Sequence, residues 1–169
     1  MDSTALRALQ APLKDRYRSA PDEAVVTLRA KGTLDDGAIA CKVQTGRALA
    51  VAGLHPATGG SGLELCSGDM LLEALVACAG VTLKAVATAL GIEVRAGTVK
   101  AEGDLDFRGT LGVDKEAPVG FRSVRLAFEL DTDAAQESLD QLLKLTERYC
   151  VVFQSLNRRP ELGVSLARA

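Results

Sequence analysis

A run of apolar and small side chains extends from Leu71 to Leu90 and dominates the hydrophobic pattern of this chain. Its length predicts one long helix, with Ser67 or Asp69 as the N-cap and Gly91 as the C-terminal stop. Because no wide polar face interrupts the run, the helix must be enclosed on most of its sides. A small single domain rarely does this alone, so the pattern implies a second copy of the chain as a partner.

Alternating apolar and polar positions predict strands on both sides of this helix. The predicted strands cover residues 24–34, 38–46, 47–53, 92–107, 121–130 and 162–167. The first three are so closely spaced that they imply an antiparallel meander. Two further helices, residues 131–149 and 150–159, precede the closing strand. The resulting order, β-β-β-α-β-β-α-α-β, is typical of an α+β fold, a sheet with segregated helices.

The N-terminal segment differs from the rest of the chain. Residues 3–18 predict a short amphipathic helix that is interrupted at Pro12. We therefore divide the chain into an N-terminal helical extension, residues 1–22, and a single domain, residues 23–169. Charges are spread through the first residues and no apolar signal segment is visible, which predicts a cytoplasmic protein.

Composition excludes several classes of function. The chain has 169 residues, 47% of them hydrophobic, and a net charge of −2, so it lacks the basic surface that nucleic-acid binding requires. The long apolar run is about as long as a membrane span. However, Glu73 and Lys84 lie inside it, and charges are costly within a membrane, so a buried helix of a soluble protein is predicted.

The four cysteines and the single histidine are the candidates for chemistry. Cys41, Cys66, Cys78 and Cys150 form no C-x-x-C pair, and His55 has no Cys or His close to it in the sequence. A zinc site requires such clusters, so no metal and no cofactor is predicted. In a reducing cytosol these thiols are expected to be free or redox-active rather than structural bridges.

Two interpretations of Cys78 follow from the pattern alone. It is either a small hydrophobic residue buried in the long helix or a reactive thiol. It lies about ten residues into the helix, too far from the N-terminus for the helix dipole to lower its pKa much. Cys150 also lies beside a helical, apolar segment, so the two thiols could meet as an attacking and a resolving cysteine.

Two motifs resemble those of a known family. The segment "SGDMLLEALVACAGVTL", which contains Cys78, is similar to the first-cysteine motif of the OsmC/Ohr family of thiol peroxidases. There an acidic residue starts a long central helix and the cysteine lies in its middle. The segment "ERYCVVFQSL", which contains Cys150, is similar to the second-cysteine motif. The resemblance covers residues 24–168, and the predicted order of elements agrees with it.

The resemblance implies a fold and a reaction. The fold would be OsmC-like, with antiparallel sheets around a buried central helix in an intertwined homodimer. Cys78 would attack a hydroperoxide and become a sulfenic acid, which Cys150 would resolve to a disulfide. A dithiol reductant would then restore both thiols. This chemistry requires a thiolate, a cation that stabilises it and an apolar pocket for an organic hydroperoxide.

The chain departs from the family pattern at several positions. Gly68 stands where the hydroperoxide-specialised branch has glutamate, and Asp69 matches the acidic position of other branches. The activating arginine of the family comes from the N-terminal strands, where Arg29 and Arg47 are candidates, each with a solvated surface charge as the alternative. Val151 follows Cys150 where the peroxidase branches usually carry proline. The resemblance therefore implies an atypical branch.

Other functions remain open. The chain could be a non-enzymatic dimer that binds a small apolar molecule, with cysteines that only pack. Cys66, just before the long helix, is a rival reactive thiol, since a helix N-terminus lowers a thiol pKa. Cys41 is expected to point inward from a strand. His55 could act as a base, although a single loop histidine is more often solvated.

Overall fold

The structure, a computed structural model, describes residues 3–34, 41–43, 53–63 and 65–168 of the chain. Within these residues the helices are α1 (Ser3–Ser19), α2 (Ser67–Leu90), α3 (Phe107–Thr110), α4 (Gln136–Tyr149) and α5 (Val151–Asn157). The strands are β1 (Val25–Leu34), β2 (Cys41–Val43), β3 (Ala96–Asp106) and β4 (Phe121–Asp131). Helices and sheet are segregated, as the α+β prediction requires.

The four strands form one antiparallel sheet in the order β2-β1-β3-β4. β1 pairs with β3 along most of its length, from Val25 opposite Asp106 to Thr33 opposite Thr98. The strands predicted at 24–34, 92–107 and 121–130 are confirmed, with small differences at their ends. β1 and β2 form the first step of the predicted meander. Residues 47–52 of the predicted third strand lie outside the described residues.

α2 is the central element of the hydrophobic core. Its buried side chains include Leu72, Leu75 and Leu83, which pack with Val99 and Ala101 of β3. Each fully buried leucine contributes roughly 2 kcal/mol through the removal of apolar surface from water. By length and composition α2 could also cross a membrane, but the core helix of a soluble protein meets the same criterion.

The ends of α2 follow from local backbone conformation. At the C-terminus Gly91 adopts a left-handed conformation, with φ of 69°, and its N–H donates to Ala87 and Thr88. At the N-terminus the prediction was wrong, because the N-cap is Cys66 rather than Ser67 or Asp69. The backbone of Cys66 is extended and its carbonyl accepts the N–H of Met70 at 3.0 Å, so the helix begins at Ser67.

α4 and α5 also pack against α2. Leu142 of α4 joins the main core, and the hydroxyl of the buried Thr146 donates to the Leu142 carbonyl at 2.8 Å. The chain turns at Cys150, whose N–H still donates to Thr146 at 2.9 Å. Cys150 then serves as the N-cap of α5. This junction brings the second cysteine motif against the helix that carries the first.

α1 is continuous through Pro12, contrary to the predicted interruption. A proline inside a helix removes one hydrogen bond and costs about 3 kcal/mol. Docking of the helix end offsets this cost, because Tyr17 is only 1% exposed and packs with Phe107 and Leu111 in a second apolar cluster. The Tyr17 hydroxyl donates to the Ala57 carbonyl at 2.9 Å. The domain boundary after residue 22 stays a prediction.

The closing strand predicted at 162–167 is absent from the described residues. Residues 158–168 are irregular, and Leu162, Val164 and Leu166 are 87%, 99% and 96% exposed. A strand needs a neighbour to accept and donate its backbone hydrogen bonds. This segment pairs with no strand of the described residues, so its alternating apolar pattern alone does not produce β-structure.

Candidate functional site

The first sulfur of the candidate site belongs to Cys78, in the middle of α2. Cys78 follows Leu75 by three residues and Leu71 by seven, so these three side chains lie on one side of the helix. The first turn of α5 packs against Cys78. The side chain of Cys78 is only partly buried. The thiol is therefore held at a contact between two helices while part of its surface stays accessible.

The second sulfur belongs to Cys150, at the junction of α4 and α5. Its backbone is extended there, with φ of −71° and ψ of 107°, which turns the side chain into the interior. Cys150 is only 1% exposed. Its sulfur accepts the N–H of Phe153 at 3.4 Å, the usual N-cap hydrogen bond with a thiol in place of a hydroxyl. This bond fixes the direction of the thiol.

Cys78 packs against the core cluster that contains Cys150, and each thiol shifts the pKa of the other. The Cys78 sulfur also accepts hydrogen bonds from the backbone N–H groups of Val151 and Val152 and from the hydroxyl of Thr82. N–H groups in the first turn of a helix have no partner within that helix, so those of α5 are available to a thiolate. Groups of α2, of the first turn of α5 and of the junction before it therefore all favour the thiolate of Cys78.

This environment separates the two pKa values. Burial by itself would raise the pKa of Cys78, but the hydrogen bonds from Val152, Cys150, Thr82 and Val151 together hold that pKa below its ordinary value. Burial raises the pKa of Cys150 to about 11, against the opposing effect of the Phe153 N–H. Of the two thiols, Cys78 therefore ionises at the lower pH and Cys150 at the higher.

An apolar cavity of about 520 Å³ lies along the same helix contact. Leu71 and Leu75, on the Cys78 side of α2, line it together with Phe153 and Leu156 of α5. Phe121, Val124 and Leu126 of β4 form much of the remaining wall. A cavity of this size, with mostly apolar walls, can take the body of a small organic molecule.

Comparison with known proteins agrees with this arrangement. Residues 60–165, more than half of the chain, match the sequence pattern of the family described as OsmC-like protein. The chain belongs to the OsmC-like protein family. The match includes both Cys78 and Cys150, so the family resemblance drawn from the two cysteine motifs is confirmed.

A solved structure shows the same fold. The crystal structure of an OsmC-like hydroperoxide resistance protein from Jannaschia sp. CCS1 superposes on this chain with a TM-score of 0.61 and 16% sequence identity. The superposition covers 86% of this chain and 95% of the other. The predicted OsmC-like α+β fold is therefore confirmed, α2 being its long central helix. A search of curated protein sequences finds no match.

The predicted charged residues do not join the two thiols in the described part of this OsmC-like chain. Asp69 lies in the first turn of α2, nine residues before Cys78 and about 13 Å away along the helix axis. Its carboxylate interacts favourably with the positive end of the helix dipole at the N-terminus of α2. Arg29 lies in β1 opposite Glu102, and only its backbone is described. Arg47 lies outside the described residues. The roles of Asp69 and of either arginine stay predictions.

The remaining candidates occupy other places. Cys66 is a free, partly buried thiol at the N-cap of α2. His55 stacks on Phe107 with ring centroids 4.9 Å apart, and its Nδ1 accepts the N–H of Ala57 at 3.0 Å. Burial lowers the pKa of His55, with Asp69 opposing the shift. These contacts give His55 a structural role. The side chain of Cys41 is not described.

Sequence reasoning missed the donors to the Cys78 sulfur. The first-turn amides of α5 could be recognised as free donors, because Cys150 directly precedes a predicted helix. Nothing in the sequence indicated that they face Cys78. Thr82 carried a clearer signal, since it follows Cys78 by four residues and therefore lies on the same side of α2. Among the described residues, no cluster of three or more potential metal ligands occurs.

Proposed function

We propose that this OsmC-like protein is a thiol-dependent peroxidase that reduces organic hydroperoxides. The observation that carries the proposal is the pairing of Cys78, partly exposed and with a lowered pKa, with Cys150, buried and with a raised pKa. A reaction that needs one ready nucleophile and one waiting thiol requires this difference. The name of the structural relative, a hydroperoxide resistance protein, agrees with the assignment.

In the first step the Cys78 thiolate attacks the terminal oxygen of the hydroperoxide. The O–O bond breaks, the terminal oxygen joins the sulfur as a sulfenic acid, and the alkoxide takes up a proton and leaves as an alcohol. The N–H groups of Val151 and Val152 stabilise the thiolate before attack. The apolar cavity, which Leu75 lines one helical turn before Cys78, would hold the organic part of the substrate.

In the second step the Cys150 thiol condenses with the Cys78 sulfenic acid. An S–S bond forms, and the hydroxyl of the sulfenic acid leaves as water with the Cys150 proton. The packing of Cys78 against the core cluster that contains Cys150 supports a step without a large movement. A dithiol reductant then reduces the disulfide in two exchange steps, becoming oxidised itself and restoring both thiols.

The protein would work as a homodimer in a reducing compartment such as the cytoplasm. On α2, Met70, Leu71 and Val81 stay 37–39% exposed although they belong to the most apolar helix of the described chain. Packing α2 against its copy in a second chain would cover these side chains. Free thiols at Cys66, Cys78 and Cys150 suit a reducing environment.

Cys78→Ser tests the enzymatic assignment, with Cys66→Ser, at the N-cap of the same helix, as the matched control. Each variant is mixed with an organic hydroperoxide and dithiothreitol, and the remaining hydroperoxide is measured over time. We expect Cys78→Ser to fall to the rate of dithiothreitol alone and Cys66→Ser to keep the wild-type rate. A wild-type rate in Cys78→Ser would end the proposal.

The apolar cavity favours a second candidate, a non-enzymatic protein that binds a small apolar molecule. Native alkylation separates the two functions. A fast-reacting Cys78, mapped by peptide mass spectrometry, favours the peroxidase. Unreactive cysteines at neutral pH, together with saturable binding of an apolar fluorescent probe, favour the binding protein.

A further inference from the structure

Ala57 links the single histidine of the chain to α1. Its N–H donates to Nδ1 of His55 at 3.0 Å, and its carbonyl accepts the hydroxyl of Tyr17 at 2.9 Å. Both bonds meet in the short helical turn Pro56–Thr58, for which His55 is the N-cap. The imidazole ring therefore fixes the residue that anchors the end of α1.

The bond from Ala57 requires a neutral imidazole ring. Nδ1 accepts a hydrogen bond only while it carries no proton, since both ring nitrogens of an imidazolium are donors. The backbone carbonyl of His55 offers no substitute acceptor. It already accepts the N–H of Thr58 at 2.8 Å, the N–H of Gly60 at 3.2 Å and the Thr58 hydroxyl at 2.9 Å. Protonation of the ring would thus bring two donors face to face.

The same ring also packs on the apolar cluster that receives α1. It stacks on Phe107, with ring centroids 4.9 Å apart and planes inclined by 15°. Phe107 is buried together with Tyr17 and Leu111. A ring that rotates to separate the two facing donors also leaves this stack. Protonation of His55 therefore disturbs both the turn and the cluster to which Tyr17 is bound.

We propose that His55 is a pH-sensitive latch for α1: the neutral ring holds the turn that binds Tyr17, and protonation of the ring releases the helix. The proposal goes beyond the peroxidase assignment and does not depend on it, since neither Cys78 nor Cys150 takes part. α1 is suited to release, because Pro12 removes one of its internal hydrogen bonds and a short helix without tertiary contacts is only marginally stable.

Charged groups around the latch come from three helices. The turn of His55 contacts α1 and α3, and Asp69 of α2 acts on the ring electrostatically. On α1, Arg16 pairs with Glu23 at 3.4 Å, and on α3 Arg108 pairs with Asp106 at 2.6 Å. Carboxyl groups ordinarily titrate near about pH 4, below the range of histidine. Loss of α1 docking just below neutral pH would therefore come from the ring.

The direction of the pH effect follows from the two states of the ring. In the docked state burial lowers the pKa of His55, with Asp69 opposing, whereas a released ring returns towards the ordinary value of 6.5. The released state then binds the proton more readily, so protonation favours release. Docking is complete above pH 6.5. It weakens as the pH falls from 6.5 through the lower pKa of the docked ring.

Hydrogen exchange of the full-length wild-type protein tests the latch between pH 8 and pH 5. Protection of the α1 amides, corrected for the intrinsic exchange rate at each pH, reports release of the helix. The amides of β3 are the internal control. The NMR resonance of the Cε1–H group of His55 gives the pH range of its protonation, and it needs no variant for assignment because the chain has one histidine.

We expect the α1 amides to lose about fivefold protection between pH 8 and pH 5, the factor that corresponds to about 1 kcal/mol for one hydrogen bond. The β3 amides keep their protection. The loss in α1 begins below pH 6.5 and is complete once the histidine resonance has finished its shift.

Two variants separate the ring from its charged neighbours. His55→Asn keeps a side-chain acceptor at the N-cap but does not titrate in this range, so its α1 protection should be the same at both pH values. Glu23→Gln removes the partner of Arg16 and should keep the wild-type response to pH.

Equal protection of α1 at pH 8 and pH 5 in the wild type overturns the proposal. So does a His55→Asn variant that loses protection as the wild type does. A loss that begins only after the histidine has finished titrating also overturns it, because a carboxylate would then be responsible. This last comparison uses the wild type alone, so it decides the question even if His55→Asn does not fold.

Discussion

Cys78 and Cys150 contact each other as two unequal thiols. Cys78 is partly exposed, and hydrogen bonds keep its pKa below the ordinary value despite burial. Cys150 is buried at the junction of α4 and α5, and this burial raises its pKa to about 11. The same short segment creates both effects, since Val151 and Val152 donate to one sulfur and Phe153 donates to the other.

Cys150→Ser should stop the reaction after the first step. The Cys78 sulfenic acid would still form but would lack a thiol to condense with, so it should accumulate after one equivalent of organic hydroperoxide. A dione reagent that reacts with sulfenic acids, followed by mass spectrometry, detects it. We expect strong labelling of Cys78 in this variant and weak labelling in the wild type; equal labelling in both would argue against a resolving role for Cys150.

The two thiols should differ in their response to pH. In the folded, reduced protein the alkylation of Cys78 should reach half its maximum below pH 9.0, because the folded-state pKa of this thiol is lower than the unperturbed value of 9.0. Cys150, with a pKa of about 11, should stay protonated and unlabelled at neutral pH. Unfolding in urea provides the control, since both thiols should then titrate alike. Equal labelling of both cysteines in the folded protein would contradict the assignment.

His55→Ala should affect stability rather than reactivity. The substitution removes the ring that stacks on Phe107 and the acceptor for the Ala57 N–H, at a cost of about 1–2 kcal/mol in the free energy of unfolding. Urea denaturation measures this cost, and alkylation of Cys78 at pH 7 should be unchanged. A variant of wild-type stability that had lost hydroperoxide reduction would instead identify His55 as a catalytic base.

Tyr17 should anchor α1 to the rest of the protein. Tyr17→Phe loses the hydrogen bond to the Ala57 carbonyl and should cost about 1 kcal/mol of unfolding free energy. Tyr17→Ala also empties a buried aromatic position and should cost about 3–5 kcal/mol. Two superimposable urea curves for the wild type and Tyr17→Ala would mean that α1 does not contribute to the stability of the domain.

Much of the fold could be predicted from periodicity. The apolar run from Leu71 to Leu90 and the alternation in β1, β3 and β4 each carry enough signal to identify an element on their own. The segment 162–167 alternates as clearly but forms no strand in the described chain, because a strand also requires a partner. Pro12 was expected to break a helix that docking through Tyr17 keeps whole.

The candidate site was only half predictable. Cys78 and Cys150 could be proposed as a pair from their motifs, but their contact depends on how α5 packs on α2, which sequence spacing does not encode. The amides that stabilise the thiolate belong to the backbone and leave no mark in residue identity. Asp69 was chosen by its position in a motif, and helix geometry puts it about 13 Å from Cys78 along the axis.

Peptide mapping of the oxidised protein tests the central claim most directly. The reduced protein is treated with one equivalent of an organic hydroperoxide, its free thiols are blocked, and disulfide-linked peptides are identified by mass spectrometry. We expect one intramolecular bridge, between Cys78 and Cys150, with Cys66 recovered as a blocked free thiol. A bridge that includes Cys66 in place of either residue, or no bridge at all, would contradict the account.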